Sequence, residues 1–396
     1  MSNLNFLGEL AKRELLCRCT DYDTAEKQLN GESTAIGIYI SADYDSLHIG
    51  HLPLLSLIRM LHEAGHKPVL LVGRGTAAEG RLLSCEEAAE NAERISAMLT
   101  LLTRNYGSKV INDSDLVCEC SFDLLMREFG VYFPIKQFIE GRRGGIMPDM
   151  NELWYSLARA CGMYCLYEDY GCRIFADCDS GWRNLKCDLG TIQKKSGDGL
   201  SGITVESITG HNGIMPNRIG YSIIWLDPQK TSPYNFYQFW RNTADTDVIR
   251  YIKQLTDQTS EEIRDYSKLK ENEINAVKEV LAYELTKAIH GEAAAAKAIG
   301  TSRRLFISGI TDEYLPTTVL TAKDFDDGLI SAVKLLIISG LAVSASEAQR
   351  LIIEDAVSLD DIPVTAPDEM CDISYFSDPV LLRKGKKHYH RFIAGK

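Results

Sequence analysis

Residues 46–77 read SLHIGHLPLLSLIRMLHEAGHKPVLLVGRGTA, a helical apolar pattern that runs into a short apolar burst. Leu52, Leu55, Ile58, Met60 and Leu61 recur at helical spacing, and Gly65 closes the segment. Pro53 falls in the first turn, where its missing N–H costs nothing. The burst KPVLLVG (67–73) has the length and composition of a buried strand, and so has TAIGIYISA (34–42) upstream. Strand, helix and strand within about forty residues make a βαβ unit, which requires a parallel sheet and a right-handed crossover. The fold class is therefore α/β.

The two histidines open the helix of that unit. A helix N-terminus carries about half a positive charge and several unpaired N–H groups, so phosphate binds there readily. His48 and His51 add donors able to stabilise charge in phosphoryl or nucleotidyl transfer. Gly50 between them lets a nucleotide approach the backbone. A capped helix carrying two surface histidines is the other reading of the same four residues.

Outward from this unit, residues 5–18 predict an amphipathic helix through Leu7, Leu10, Leu15 and Leu16. A helix over 84–103 precedes a strand-like KVIN (109–112). Residues 121–170 read as mostly helical, interrupted by a basic loop at 140–148. CRIFADCDSG (172–181) is a strand running into a turn, and 207–222 reads as a long Gly-rich loop. After Trp225 the pattern is helical to about 305, with Ser232 as an N-cap and Pro233 at the first helical position. A small domain follows from 329.

The chain has 396 residues, 45% of them hydrophobic, and a net charge of −12. That length supports two or three domains, and that charge argues against a generic nucleic-acid coat or an anionic-membrane binder. No apolar run reaches the roughly 18 residues of a membrane span, and the N-terminus lacks a signal-peptide pattern. The eleven cysteines form no Cys-x-x-Cys pair, so neither a structural metal nor a disulfide framework is expected. Buried thiols in a reducing cytoplasm fit better.

His48-Ile49-Gly50-His51 matches the HIGH motif of class I aminoacyl-tRNA synthetases, and residues 45–73 resemble the tyrosyl-tRNA synthetases. The resemblance continues through YEDYGCRIF, IIWLDPQKTSPYNFYQFWRNTADTDVIRYIK (223–253), LAYELTKAIHGEAAAAKA and LRKGKKHYHRFI, covering nearly the whole chain in order. It implies a Rossmann-like catalytic domain with a parallel sheet over 1–225, with a helical connective insertion at about 118–165. An α-helical anticodon-binding-type domain over 226–328 and a small α+β S4-like RNA-binding module over 329–396 would follow. It further implies ATP as a substrate, Mg2+ with it, tRNA as a partner, and a homodimer.

Carried over place by place, the resemblance assigns His48 and His51 to catalysis. The mobile Lys-x-x-Lys-Ser-type loop falls on 215–219, Met-Pro-Asn-Arg-Ile, where only Arg218 is cationic. Loss of the other cation slows adenylate formation by about 10²–10³-fold on the scale of one oxyanion donor. The ribose turn falls on Asp179, Ser180 and Gly181, with its Asp one residue early. The two phenol-reading positions hold Gly37 and Gly162. Of the ammonium-holding positions, Tyr155 is kept, but Arg81 and Arg159 replace an acid and an amide; Thr76 completes the pocket. A pocket remade for an anionic ligand suits two arginines; pairing with Glu79 or neighbouring acids is the alternative.

In the C-terminal module, residues 330–380 contain nine acidic and two basic side chains. The last sixteen residues invert this, with Arg383, Lys384, Lys386, Lys387, Arg391 and Lys396 and no acid. That tail is the candidate RNA contact, or else an exposed solubilising terminus. Three functions stay open: a tyrosine–tRNA ligase, a synthetase-like enzyme acting on an anionic substrate, and a non-catalytic RNA-binding or regulatory paralogue.

Overall fold

The computed structural model describes residues 5–74, 77–78, 81–113, 116, 122–140, 147–208, 218–219, 222–268, 273–308, 316–360, 362–376, 380–385 and 388–394. Contacts divide the chain into two compact units, 1–209 with 250–258, and 210–249 with 259–396.

The first unit is built on a six-stranded sheet. Its strands are β1 (Leu16–Cys19), β2 (Ala35–Ala42), β3 (Lys67–Arg74), β4 (Lys109–Asn112), β5 (Ile174–Cys178) and β6 (Ser201–Val205). Their order across the sheet is β1-β6-β5-β2-β3-β4, parallel except for β1, which pairs antiparallel with β6. The main helices are α1 (Phe6–Lys12), α2 (Tyr22–Leu29), α3 (Leu52–Glu63), α4 (Cys85–Leu102), α5 (Met150–Tyr170) and α6 (Trp182–Ser196).

The chain steps from β2 through β3 to β4 in one direction, then returns to lay β5 on the other side of β2. Right-handed crossovers therefore put α3 and α4 on one face and α5 and α6 on the other. The second face carries a core of Tyr39, Val69, Leu71 and Ile111 from the strands, packed by Met163 and Leu166 of α5 and Leu185, Leu189 and Ile192 of α6. The direction reversal makes the β2/β5 junction the topological switch point, the place where open α/β sheets bind ligands beyond their strands' carboxyl ends.

One expectation in this unit changes, and one strand is new. The helix expected over 5–18 stops at Lys12, because Glu14 takes a left-handed φ of 56° and the chain re-enters as β1. Leu15 keeps the apolar spacing and is fully buried, so periodicity alone ran through the break. Strand β6 had no counterpart in the sequence reading.

In the second unit, α7 (Pro233–Arg241) starts at the expected N-cap, with Ser232 Oγ accepting from the Asn235 N–H at 3.2 Å. Farther along the helical stretch, α8 (Ile274–His290) and α9 (Glu292–Ser308) are separated by Gly291, which sits at φ 88°, ψ 162° and turns the chain back. The C-terminal sheet takes its first strand, β7 (Thr317–Leu320), from ahead of residue 329. With β8 (Val357–Leu359), β9 (Ile362–Pro363), β10 (Val380–Lys384) and β11 (His388–Ala394) it runs in the order β7-β11-β10-β8-β9. Helices α10 (Ala332–Ile338) and α11 (Ala345–Ile353) bury Leu335, Leu336, Leu351 and Ile352 in that module's core.

Candidate functional site

His48 is the N-cap of a 3₁₀ turn, Ile49–His51, that leads directly into α3. Its Nδ1 accepts from the Gly50 N–H at 3.0 Å. The His51 Nδ1 lies 3.1 Å from both the N–H and the carbonyl oxygen of His48. The amide can only donate, so the His51 Nδ1 lone pair takes it, and the proton of each neutral ring then sits on Nε2. Burial depresses both imidazoles, His48 to about 3 with the neighbouring His51 adding to it, and His51 to about 4. The rings pack 4.3 Å apart, and Tyr44 meets His48 edge-on. The turn thus carries two neutral imidazoles. The Gly50 amide is bonded to His48.

Across the switch point, β5 ends in a second 3₁₀ turn, Asp179–Gly181, before α6. Asp179 is engaged on two sides: the Arg18 Nε is 3.0 Å from its carboxylate, and the Thr204 hydroxyl donates at 3.3 Å. Ser180 is exposed. Gly181 has no room for a side chain, since a Cβ there would fall inside the Asp177 carboxylate.

At the end of β5 a buried charged cluster joins α5, α6 and β2. Arg159, on α5, is 8% exposed and donates from one terminal nitrogen to Asp177 and from Nε to Asp188, both at 2.7 Å. Its guanidinium carbon lies 3.8 Å over the Tyr39 ring. Tyr39 covers Gly73 so closely that a Cβ at 73 would overlap the phenol. Beside it, a Cβ at Gly37 would meet Phe175 Cδ1 at 2.6 Å, and one at Gly162 would meet Leu71 Cδ2 at 2.9 Å. Burial raises both carboxyls against the pull of Arg159, Asp188 to about 6.

Arg159 is therefore not a cation awaiting an anionic ligand, and the expectation of a remade anion pocket is corrected at this residue. Tyr155 stands one turn before Arg159 on α5 and is half-buried. Thr76 lies outside the described residues. Arg81 and Arg218 lie on short strand pairs, 77–78 with 81–82 and 218–219 with 222–223, and their side chains are outside what is described. Among the described residues, no three His, Cys, Asp or Glu side chains are grouped to hold a metal ion, and no helix is long and apolar enough to cross a membrane.

Three of the basic tail residues make hydrogen bonds within the module. The Arg383 Nε donates to the Ser358 hydroxyl at 2.9 Å, and the Arg391 Nε to the Thr317 hydroxyl at 3.0 Å. Lys384 Nζ donates to the Leu341 carbonyl at 2.7 Å and lies 3.4 Å from the buried Glu347 carboxylate. Lys386, Lys387 and Lys396 lie outside the described residues.

The match to a family model described as tRNA synthetases class I (W and Y) runs over residues 190–307. The tyrosine–tRNA ligase of Acetivibrio thermocellus is 31% identical over 401 residues, spanning 96% of this chain and 97% of that protein. The tyrosine–tRNA ligase of Caldanaerobacter subterraneus is 32% identical over 98% of this chain and 99% of that protein. The chain belongs to the tyrosyl-tRNA synthetase family. Among solved structures, a C-terminally truncated Aspergillus nidulans mitochondrial tyrosyl-tRNA synthetase superposes with a TM-score of 0.66 at 21% identity, covering 76% of this chain and 94% of that one. The Archaeoglobus fulgidus tyrosyl-tRNA synthetase complexed with L-tyrosine gives 0.57 at 14% identity, covering 75% of this chain and all of that one. Both share the class I synthetase fold.

Within that family frame, sequence reasoning missed Tyr39, Asp177 and Asp188. Asp188 carried a usable signal: it interrupts the helical stripe Leu185, Leu189, Ile192, where an acid must find a cation once buried.

Proposed function

We propose that this chain is a tyrosyl-tRNA synthetase-like protein, of aminoacyl-tRNA ligase ancestry, that offers an ATP-facing imidazole pair and does not activate tyrosine. The observation that carries this reading is the crevice at the switch point, closed by Tyr39 and by Arg159 bound to Asp177 and Asp188. Admitting an amino acid there means displacing a buried aromatic and parting a buried ion pair. At about 3–5 kcal/mol for breaking such a pair, affinity falls roughly 200- to 5,000-fold. The amino group would also face Arg159 in place of an amide.

The nucleotide half is better preserved. His48 and His51 stand as neutral imidazoles at the start of α3, a placement suited to phosphate oxygens. ATP is therefore the ligand we assign to this end, with Mg2+ only as its counter-ion. Ser180 and Gly181 of the opposite turn are the assigned ribose neighbours; Asp179 is drawn towards Arg18 and away from that task. tRNA and a second copy of the chain are the partners that family membership brings with it. With Lys384 bonded to Leu341 and Glu347, and Arg383 and Arg391 each donating within the module, we expect tRNA affinity to be weak.

The test is ATP–pyrophosphate exchange by the full-length protein with each amino acid and a panel of acidic metabolites, alongside calorimetry with ATP alone. We expect ATP to bind and no exchange above background with tyrosine. Tyrosine-dependent exchange at a rate ordinary for a ligase would overturn the reading.

A further inference from the structure

We propose that Lys195 is a site of dimethylation, its Nζ seated in a cage of Phe129, Tyr132 and Tyr164 with the Glu128 carboxylate at the rim. The cage lies at the far end of α6 from the Asp179–Gly181 turn and owes nothing to the crevice at the switch point.

Three pieces of chain build it. Glu128 and Phe129 come from a π-helical turn, Met126–Gly130, Tyr132 from just beyond that turn, and Tyr164 from α5. The Tyr132 N–H donates to the Phe129 carbonyl at 3.0 Å, which fixes the short link between those two rings. Phe129 meets Tyr164 nearly at right angles, 5.4 Å between ring centres. Lys195 reaches in from the last turn of α6. Its Nζ lies 5.1 Å from the centre of the Phe129 ring, 5.4 Å from Tyr164 and 5.5 Å from Tyr132. Aromatic faces around one ammonium are the surroundings that select methylated amines, because methylation keeps the charge.

The spacing favours methyl groups over bare N–H bonds. A methyl carbon sits about 1.5 Å from its nitrogen. Directed at these rings it would stand about 3.6–4.0 Å from their centres, ordinary carbon–carbon contact. The hydrogen bonds set the number of methyls. One N–H of Lys195 donates to Glu128 at 3.1 Å, and the rings offer the other two no comparable acceptor. Two methyls replace those two protons and leave the bond to Glu128 intact; a third would break it.

The amine can be reached. The Lys195 side chain is 18% exposed and that of Glu128 54%, and Gly197 caps α6 two residues later, so the long stem can swing out to solvent. In each round the deprotonated Nζ attacks the methyl carbon of a methylsulfonium donor. The C–N bond forms, the C–S electron pair leaves with sulfur as a thioether, and the displaced proton goes to water.

The test has two arms. In protein isolated from its native cells, mass spectrometry should find residue 195 heavier by two methyl groups and Lys194, exposed and adjacent, unmodified. An unmodified Lys195, or equal methylation of both lysines, overturns the proposal. In recombinant protein dimethylated with carbon-13 formaldehyde and a borane reductant, one methyl resonance should lie several tenths of a ppm upfield of the others, shifted by the ring currents. Lys195→Arg should abolish that resonance, and Tyr132→Leu, which leaves the lysine in place, should move it back towards the exposed group. A Lys195 resonance that coincides with those of exposed dimethyllysines overturns the cage. A lysine that merely ties α6 to the π-helical turn would leave no mark at residue 195 in the native protein.

Discussion

Replacing Arg159 with methionine tests the buried triad directly. The guanidinium is 8% exposed and holds Asp177 and Asp188 at 2.7 Å each; the Asp188 side chain is itself 1% exposed. Methionine roughly fills the volume but leaves two carboxylates without a cation, and breaking a buried pair in this way costs about 3–5 kcal/mol. In a unit of this size that lowers the melting temperature by roughly 6–20 °C. The cost depends on pH. Burial has already raised Asp188 to about 6, above its unfolded value, while Arg159 pulls it down. Without Arg159 it rises further. A carboxyl raised in the folded state binds more protons there than in the unfolded chain, so its stabilising contribution is present at low pH and lost as pH rises through the folded value. Arg159→Met should therefore lose more stability at pH 8 than at pH 5.5, by urea unfolding followed with tryptophan fluorescence. Adding Asp177→Asn and Asp188→Asn should recover most of the loss. A cost below about 1 kcal/mol at pH 8, in the range of an exposed pair, would refute the triad as a buried charged unit, and so would an equal cost at both pH values.

Gly73→Ala puts a methyl group into the Tyr39 phenol and should cost about 1–3 kcal/mol as an overpacking change; paired with Tyr39→Ala the two should be clearly non-additive in thermal unfolding, and simple additivity would count against their contact. His48 and His51 fold with depressed values, to about 3 and about 4, so the stability they contribute is complete above the unfolded value near 6.5 and drains away as pH falls from there towards 4. In an NMR titration neither ring should protonate above pH 5, and a midpoint near 6.5 for either would contradict their burial. Lys384→Ala, which strips the bonds to Leu341 and Glu347, should lower the melting temperature and leave tRNA affinity in filter binding nearly unchanged; the opposite pattern would return this lysine to RNA contact.

What could be read in the sequence follows how locally each feature is determined. β2, α3 and β3 declare themselves because each buries a face whose period is written in adjacent residues, and the parallel sheet follows from their order. The same local signal misled where burial outlasts the element. Leu15 keeps the spacing of α1 although Glu14 has already turned the chain, and the alanine-rich run after Gly291 keeps helical composition across a reversal. His48 and His51 were legible as the start of α3, but not that each ring caps a neighbouring amide, because that depends on rotamer choice within the 3₁₀ turn.

The pocket was the least legible part, for a reason of distance. Arg159 meets Asp177 and Asp188 across separations of 18 and 29 residues, and no periodicity links a helix to the end of a strand and to a second helix. Under the roles the family resemblance assigns, Gly37, Gly162 and Arg159 read singly as losses: two missing hydroxyl readers and a cation set against an ammonium. Placed together, each glycine faces a bulky neighbour and the arginine faces two acids. Random loss at such positions leaves voids and unpaired polar groups, both costly in a core. Here the substitutions compensate one another: a neighbouring side chain takes the space at each glycine, and Arg159 is bonded to both acids. That pattern fits a chain maintained as a folded protein with its crevice shut, more readily than one drifting away from tyrosine activation.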